Sequence, residues 1–275
     1  MSNLPKFSVV VCVYCGDNAE HFFEAIKSAE KQTITPDEII IVADGELTPD
    51  LDQVIQKCCK KYNNIKFHQL PKNHGVGFAS NYGINRCKNE LIAKMDADDL
   101  LLPERFEKQL KAFKSDSNLT LLGGQLSEFA DDDPKKIVSY RRVPTDLADI
   151  KKFARRRSPC NNPTVMFKKS AIQAVGGYPK LNRAEDYYLY AKLLADGYKI
   201  ANLDDVLVNY RLSSDNYGRR KSWRHTKEML HARKEIYHLG VSKRSDYLIT
   251  SAAQIALFIT PNCMTKLAYK ILRKN

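Results

Sequence analysis

The segment LIAKMDADDLLLP, residues 91–103, decides how the rest of the chain is read. It opens on a largely apolar run of the kind a buried strand needs, and that run stops at three carboxylates within four residues, Asp96, Asp98 and Asp99. Carboxylates this close repel one another, so the segment reads as a helix cap, a cation site or solvated surface charge. A cap at Asp99, for a helix opening in LLLPERF, accounts for one carboxylate and leaves two beside the strand end. A D-x-D pair can instead share one hard divalent cation. Mg²⁺ and Mn²⁺ prefer oxygen ligands and often bind through one or two carboxylates plus substrate phosphates. Such a cation relieves the repulsion and makes a seat for a diphosphate.

Upstream of this segment the pattern alternates between strand and helix. FSVVVCVY (7–14), DEIIIVADG (37–45) and IKFHQLP (65–71) read as strands, with LIAKM as the fourth. Between them AEHFFEAIKSAEKQ (19–32), TPDLDQVIQKCCKKY (48–62) with a Thr cap, and GFASNYGINRC (77–87) read as helices. Continuous apolar strands separated by helices imply a mostly parallel sheet covered on both faces. Ligands of such sheets bind beyond the carboxyl ends of the strands, where Asp44 and Asp96 both fall. Downstream, PERFEKQLKAF (103–113) reads as a helix with Pro103 in its first turn. LTLLGGQLSEF, IVSYRRV, NNPTVMFKKS and VLVNYRL read as strands, and EDYYLYAKLLADG (185–197) as a helix ending at Gly197.

The chain of 275 residues carries a formal charge of +12, and that charge is unevenly spread. From Asn216 onward there are thirteen Lys/Arg against three Asp/Glu, a net +10, which leaves the first 215 residues nearly neutral. Seven cysteines at irregular spacing fit a reducing compartment. Cys12 and Cys15 stand in C-V-Y-C between a strand and a helix. They read either as a packed strand residue and a turn residue or as a redox pair, and a zinc site lacks a second pair. The run FSVVVCVY has no small-residue cleavage site after it, and YLITSAAQIALFIT falls short of the ~20 apolar residues of a spanning helix. The expected location is therefore cytoplasmic.

Taken in order, FSVVVCVY, QTITPDEIIIVADG, NHGVGFASNYGI, LIAKMDADDLLLPERFEKQ, NPTVMFKKSAIQAVGGY, AEDYYLYAKLLADG and VNYR resemble the family 2 glycosyltransferases of bacterial polysaccharide and O-antigen synthesis. The resemblance spans roughly residues 7–212. It implies a GT-A fold, α/β with a Rossmann-like nucleotide-binding, mostly parallel central sheet. It also implies inverting transfer from a nucleotide-diphosphate sugar. Asp44 matches the carboxylate that contacts the nucleotide. Asp96 and Asp98 match the D-x-D that holds Mn²⁺ or Mg²⁺ with the donor diphosphate, and Asp98 is the expected direct ligand. Asp186 matches the general base. Asn81 belongs to the donor-binding set, although Ser80 stands where many relatives carry Arg. Asn161-Asn162-Pro163 replaces a common His-Pro, and Leu-Ser-Ser follows Tyr210-Arg211 where a His is frequent.

These matches divide the chain into a GT-A domain over 1–215 and a basic helical tail over 216–275. Within the domain, about 1–98 is expected to bind the nucleotide sugar and 99–215 the acceptor. The tail reads as a helix packed on the domain or as a surface for anionic lipid, with Trp223, Met229, Leu230 and Tyr237 facing inward and MTKLAYKILRKN amphipathic. No nucleic-acid reading motif is present. The expected reaction moves a hexosyl or N-acetylhexosaminyl group from a UDP-sugar to a lipid-diphosphate-linked saccharide at the inner face of the plasma membrane. A sugar nucleotidyltransferase and a non-catalytic membrane adaptor on the same fold are the alternatives.

Overall fold

The strand β1 (Phe7–Val13) and its parallel neighbour β2 (Glu38–Ala43) are buried almost throughout. Their β-branched residues alternate between two cores. Val9, Val11, Ile39 and Ile41 face one layer, and Val10, Ile40 and Val42 face the other. A computed structural model describes residues 4–130, 133–212 and 222–260 of the chain. Among these residues nine strands form a single sheet of order β3-β2-β1-β4-β8-β6-β9-β5, with β7 paired to β6.

The first half of the sheet is wholly parallel. β3 (Ile65–Gln69) pairs with β2, and β4 (Leu91–Met95) lies on the opposite side of β1. The chain therefore walks outward from β1 to β3 and then jumps back across it, so the carboxyl ends of β1 and β4 form a topological switch point. The helices α1 (Ala19–Glu30) and α2 (Pro49–Lys61) cover one face, and α3 (Val76–Arg86) covers the other. Local chemistry sets their starts. The Asn18 side chain accepts from the amides of Glu20 and His21 at 2.9 and 3.0 Å, and Thr48 caps α2 with Pro49 in its first turn.

The second half mixes directions. β8 (Met166–Lys168) is antiparallel to β4 and to β6 (Leu119–Phe129), and β9 (Lys199–Arg211) runs parallel to β6. β7 (Ile137–Arg141) adds to the far end of β6 as a hairpin partner. The helices α4 (Arg105–Ser115), α5 (Leu147–Ala154), α6 (Lys169–Ala174) and α7 (Glu185–Ala195) complete the layers.

Several local expectations are corrected. Asp99 does not cap a helix: α4 begins at Arg105, its cap position Glu104 makes no side-chain cap bond, and Pro103 precedes the helix. Asp99 Oδ1 instead accepts the backbone N–H of Arg211 at 2.9 Å, while Leu100–Leu101 form β5, antiparallel to β9. The segment NNPTVMFKKS is not one strand. It is a 3₁₀ turn at Asn162–Thr164, the short β8 and the start of α6, because Pro163 lacks the N–H that a ladder needs.

Beyond residue 221 two helices follow, α8 (Trp223–His238) and α9 (Arg244–Ile259). Ile236 packs on Tyr187 and Ala191 of α7. The fully buried Asp246 of α9 pairs with the side chains of Arg155 and Arg156, the latter at 2.7 Å. Of the four α8 side chains expected to meet lipid, Trp223 is exposed, whereas Met229, Leu230 and Tyr237 are half-buried. The peptide MTKLAYKILRKN lies outside the described residues, as do 216–221 of the tail.

α3 reaches the sheet only because Gly83 has no side chain. A β-carbon there meets Val10 Cγ1 at 2.9 Å and Val42 Cγ2 at 3.0 Å. Gly83→Val is therefore expected to destabilise the fold by about 1–3 kcal/mol through overpacking. Urea unfolding measures this, and an unchanged midpoint contradicts the close approach of α3.

Candidate active site

A cavity of about 1410 Å³ opens where β1, β2 and β4 end. Asp17, Asp44, Asp96 and Asp98 line one side of it, and α3, the loop after Gly176 and the start of α8 line the rest. The switch-point topology thus brings three strand-end loops and four carboxylates to one mouth.

Lys94 lies beneath that mouth, 1% exposed and one residue before the end of β4. Its Nζ sits 3.2 Å from Asp96 Oδ1 and donates as well to the Met95 carbonyl at 3.5 Å. Burial pulls a lysine pKa down, but the Asp96 charge and hydrogen bond together with the nearby Cys12 and Tyr178 outweigh it, so the net shift is upward and Lys94 stays a cation. The remaining carboxylates are less well matched. Burial raises Asp98, and the Asp96 charge raises it further. Asp17 is pushed up to about 6, first by burial and then by Asp98 and Asp96, against a bond from the Tyr14 amide. Asp99, fully buried with Oδ2 unpartnered, is raised well above the carboxylate range by burial and by its two neighbours.

Arg211 fixes this acidic loop by its backbone, and its charge offsets part of the rise at Asp98. Its Nε donates to the Asp98 carbonyl at 3.0 Å, one guanidinium nitrogen reaches Glu24 Oε2 at 2.7 Å, and the group lies over the Phe129 ring. From behind, the fully buried Arg105 donates to the carbonyls of Lys94 and Val165 at 2.7 and 3.3 Å. Burial pulls Arg105 down to about 9, and Asp96 and Asp99 counter part of that fall.

Asp44 and Asn81 line the cavity, and both also hold its walls. The two oxygens of Asp44 accept the amides of His74 and Gly75, each at 2.8 Å. Gly75 has φ +90°, a conformation that glycine supplies without strain, and α3 starts there. The Asn81 amide pairs both ways with the backbone of Tyr178, donating to its carbonyl and accepting its N–H, both at 2.8 Å. That pairing anchors the Gly-Gly-Tyr turn, and a β-carbon at Gly177 (φ +74°) would strike Asn81 Oδ1.

Opposite the strand ends, Glu185 and Asp186 occupy the first turn of α7, where no side chain caps the helix. Glu185 lines the cavity and Asp186 stands beside it, outside the lining. Burial and the Asp186 charge push Glu185 up to about 7, and burial also raises Asp186. Lys94 and Asp96 influence both residues, so the strand-end cluster and the α7 pair form one electrostatic unit. The buried Tyr178 hydroxyl, unpartnered, belongs to the same unit, its pKa raised by burial. Cys12 and Cys15 are free thiols; burial raises Cys12, the opposite of what a reactive thiolate needs.

Residues 8–175 match the family described as Glycosyl transferase family 2. The chain belongs to that family. A Haemophilus influenzae protein named as an uncharacterized glycosyltransferase is 37% identical over 98% of this chain and 100% of its own length. The Escherichia coli UDP-Gal:alpha-D-GlcNAc-diphosphoundecaprenol beta-1,3-galactosyltransferase is 34% identical over 97% of this chain and 96% of its own. Among solved structures, the Pyrobaculum calidifontis mannosyltransferase in complex with GDP-Man and Mn²⁺ superposes with a TM-score of 0.67. It does so at 15% identity over 98% of this chain and 80% of its own, a likeness of fold. The fold is GT-A.

In this family 2 glycosyltransferase the structure brings Asp44, Asn81, Asp96 and Asp98 to one cavity, with Asp186 behind Glu185. Sequence patterns alone do not single out Lys94, Arg105, Asp17 or Tyr178. Only Lys94 leaves a signal there, as a lysine inside a buried apolar run.

The α7 pair makes a pH prediction for the metal-free protein. Glu185 rises from an ordinary 4.5 to about 7 on folding, so the native state binds its proton more tightly than the unfolded state between those values. Stability is then fully present below pH 4.5 and declines as pH rises toward 7. Glu185→Gln should match the parent near pH ~4 and melt at a higher temperature near pH ~8. Thermal melts across that range test it, and parallel curves for the two proteins would reject the assignment.

Proposed function

We propose that the chain transfers a hexosyl or N-acetylhexosaminyl group from a UDP-sugar, with inversion, to a lipid-diphosphate-linked saccharide in bacterial polysaccharide assembly. The observation that carries this reading is the pair Asp96 and Asp98 at the carboxyl end of β4, which share one cavity with Glu185 at the start of α7, next to Asp186. The E. coli relative, whose name specifies a UDP-galactose donor and a diphosphoundecaprenol-linked acceptor, supports the substrate classes.

The site fits a divalent cation by its donor chemistry. Asp98 and Asp96 offer hard oxygen atoms, and after burial it is the charge of neighbouring carboxylates that raises Asp98 and Asp17, a repulsion that a cation would relieve. Among the described residues no three such side chains cluster closely enough to hold an ion by themselves, which matches a cation shared with substrate phosphates. Bound there by Asp98 and Asp96, Mn²⁺ or Mg²⁺ supplies positive charge for the departing diphosphate.

The chain's own residues do the rest. The acceptor hydroxyl attacks the anomeric carbon from the face opposite UDP, the new C–O bond forms as the bond to the diphosphate oxygen breaks, and that electron pair leaves with UDP. Asp186 takes the hydroxyl proton, and its raised pKa makes it a stronger base than a free aspartate. Asp44 and Asn81 bind the donor and also set the loops around it. Residues 1–98 form the donor half and 99–215 the acceptor half of the domain, and 216–275 places it peripherally at the inner face of the plasma membrane.

Asp98→Asn should weaken UDP binding in the presence of Mn²⁺ or Mg²⁺ and leave metal-free binding close to parental, because an amide is a poorer ligand for a hard cation. Calorimetric titration with and without metal reads this, and equal affinities under both conditions exclude Asp98 as the ligand.

Asp186→Asn should lower transfer by roughly 10²–10⁴-fold with donor binding nearly unchanged, since the proton is removed only in the transition state. If Asp186→Asn keeps parental turnover while Glu185→Gln loses it, the base is Glu185.

A further inference from the structure

The helix α9 is built inside out. Its inward side carries Asp246, Thr250, Ser251 and Gln254, with Asp246 and Gln254 buried. Its outward side carries Leu248, Ile249, Ala252, Ile255, Ala256 and Ile259. These positions recur at helical spacing, and Ile259 is 73% exposed. A helix that packs by its apolar stripe cannot have this orientation. The inward side is held by the ion pairs of Asp246 with Arg155 and Arg156, and its flanks by Tyr247 stacked on Tyr237 and Phe258 on Trp223. Reversing the helix would break a buried carboxylate from a pair of arginines, so the apolar stripe stays outside. Contiguous exposed apolar surface of this kind marks an interaction face.

Three further observations select its occupant. The last turn of α9 lies next to the cavity rim. Phe258 packs on Trp223 at 5.3 Å, and the residues flanking Trp223, Ser222 and Arg224, line the cavity rim. The flanks are cationic, with exposed Lys243 and Arg244 at the start of α9 and Arg224 and Lys227 on α8. Two of the three acids after residue 215, Glu228 and Asp246, are already paired with arginines, so they do not offset these exposed cations. Finally, Trp223 is half exposed at the junction of apolar stripe and cations, where an amphipathic ring suits a headgroup boundary.

We infer that α9 is a lipid-docking helix, which lies in the surface of an anionic membrane with its Leu248–Ile259 stripe in the acyl boundary and the cavity rim at headgroup level. Interfacial helices of this type bury their apolar face by ~5–10 Å and add attraction from flanking Lys and Arg. Among the described residues no helix is long and apolar enough to cross a membrane. The functional consequence rests on the lipid-linked acceptor proposed above: the acceptor's saccharide enters the cavity from the side at which its lipid is anchored.

The test uses the full chain and a double variant, Ile255→Glu with Ile259→Glu, both positions being solvent-facing. Co-sedimentation is measured with phosphatidylglycerol-containing and with pure phosphatidylcholine vesicles, at low and high salt. The parent should bind the anionic vesicles, with a fraction that survives high salt. The variant should lose that fraction and bind roughly tenfold less or weaker, with an unchanged melting temperature. Equal binding by variant and parent, or a parent that ignores anionic vesicles at low salt, overturns the inference. So does a parent dimer that the variant dissolves, which would assign the stripe to a second copy. Transfer to a water-soluble, short-chain acceptor should be the same for both proteins. If neither transfers, the acceptor reading fails while the vesicle result stands on its own.

Discussion

The acidic loop after β4 is a problem of charge that the protein solves from below. A lone buried lysine is unfavourable, and so are crowded carboxylates; Lys94 and Asp96 at 3.2 Å make each tolerable. The two arginines nearest the loop do something different. Arg105 shares one guanidinium nitrogen, Nη2, between the carbonyls of Lys94 and Val165, and Arg211 gives its Nε to the carbonyl of Asp98. They hold the loop's backbone in place and leave the Asp98 carboxylate free for the cavity. Had either guanidinium formed a bidentate pair with Asp98, the loop would be as rigid and its charge already satisfied. Removing Lys94 would strip Asp96 of its contact cation while Asp98 still crowds it, so the charge balance of the strand end depends on this half-buried ion pair.

A second constraint shapes the walls. Asp44 and Asn81 each bind backbone at both ends of a planar group, an arrangement that fixes orientation as well as distance. Both act through α3: Asp44 gathers the turn that starts it, and Asn81 ties its second turn to Tyr178. Gly83 then sets how deeply the helix sits on β1 and β2. The cavity wall formed by α3 is thus clamped at three points, two polar and one steric. A ligand that contacts Asp44 or Asn81 uses the lone pairs or edges that these clamps leave over. Substituting either residue would move the wall as well as remove the contact.

How much of this is legible in the sequence depends on the direction of pairing. The parallel half is readable because strands covered on both faces must be apolar at every position, as IIIVA and VVVCV are, and few surface or loop segments share that property. The antiparallel half is harder. β8 is only three residues long and follows a proline turn, so its periodicity is too short to register. The carboxylates Asp44, Asp96 and Asp98 are legible because each lies at or just beyond the end of such a run. The role of Asp99 is not, because its partner is a backbone amide on β9, at Arg211, far away along the chain. Arg105 is hidden for a related reason: in a helix rich in Glu and Lys it looks like one more surface charge, and only the tertiary packing buries it.

The tail shows the limit of periodicity in its sharpest form. The segment SDYLITSAAQIALFIT belongs to the tail that reads as helical, and it forms α9, whose residues fall on two faces at helical spacing. Nothing in that pattern says which stripe points inward. Ordinarily the apolar one does, because its burial outweighs everything else. Here a single buried carboxylate, Asp246, engages two arginines of the preceding domain, and breaking such a pair costs several kcal/mol. That cost is comparable to what burying two or three of the outward aliphatic side chains would return, at about 1.5–3 kcal/mol each. The stripe can therefore stay outside when it has another apolar medium to enter, and the orientation of α9 becomes a statement about the surroundings in which the chain works.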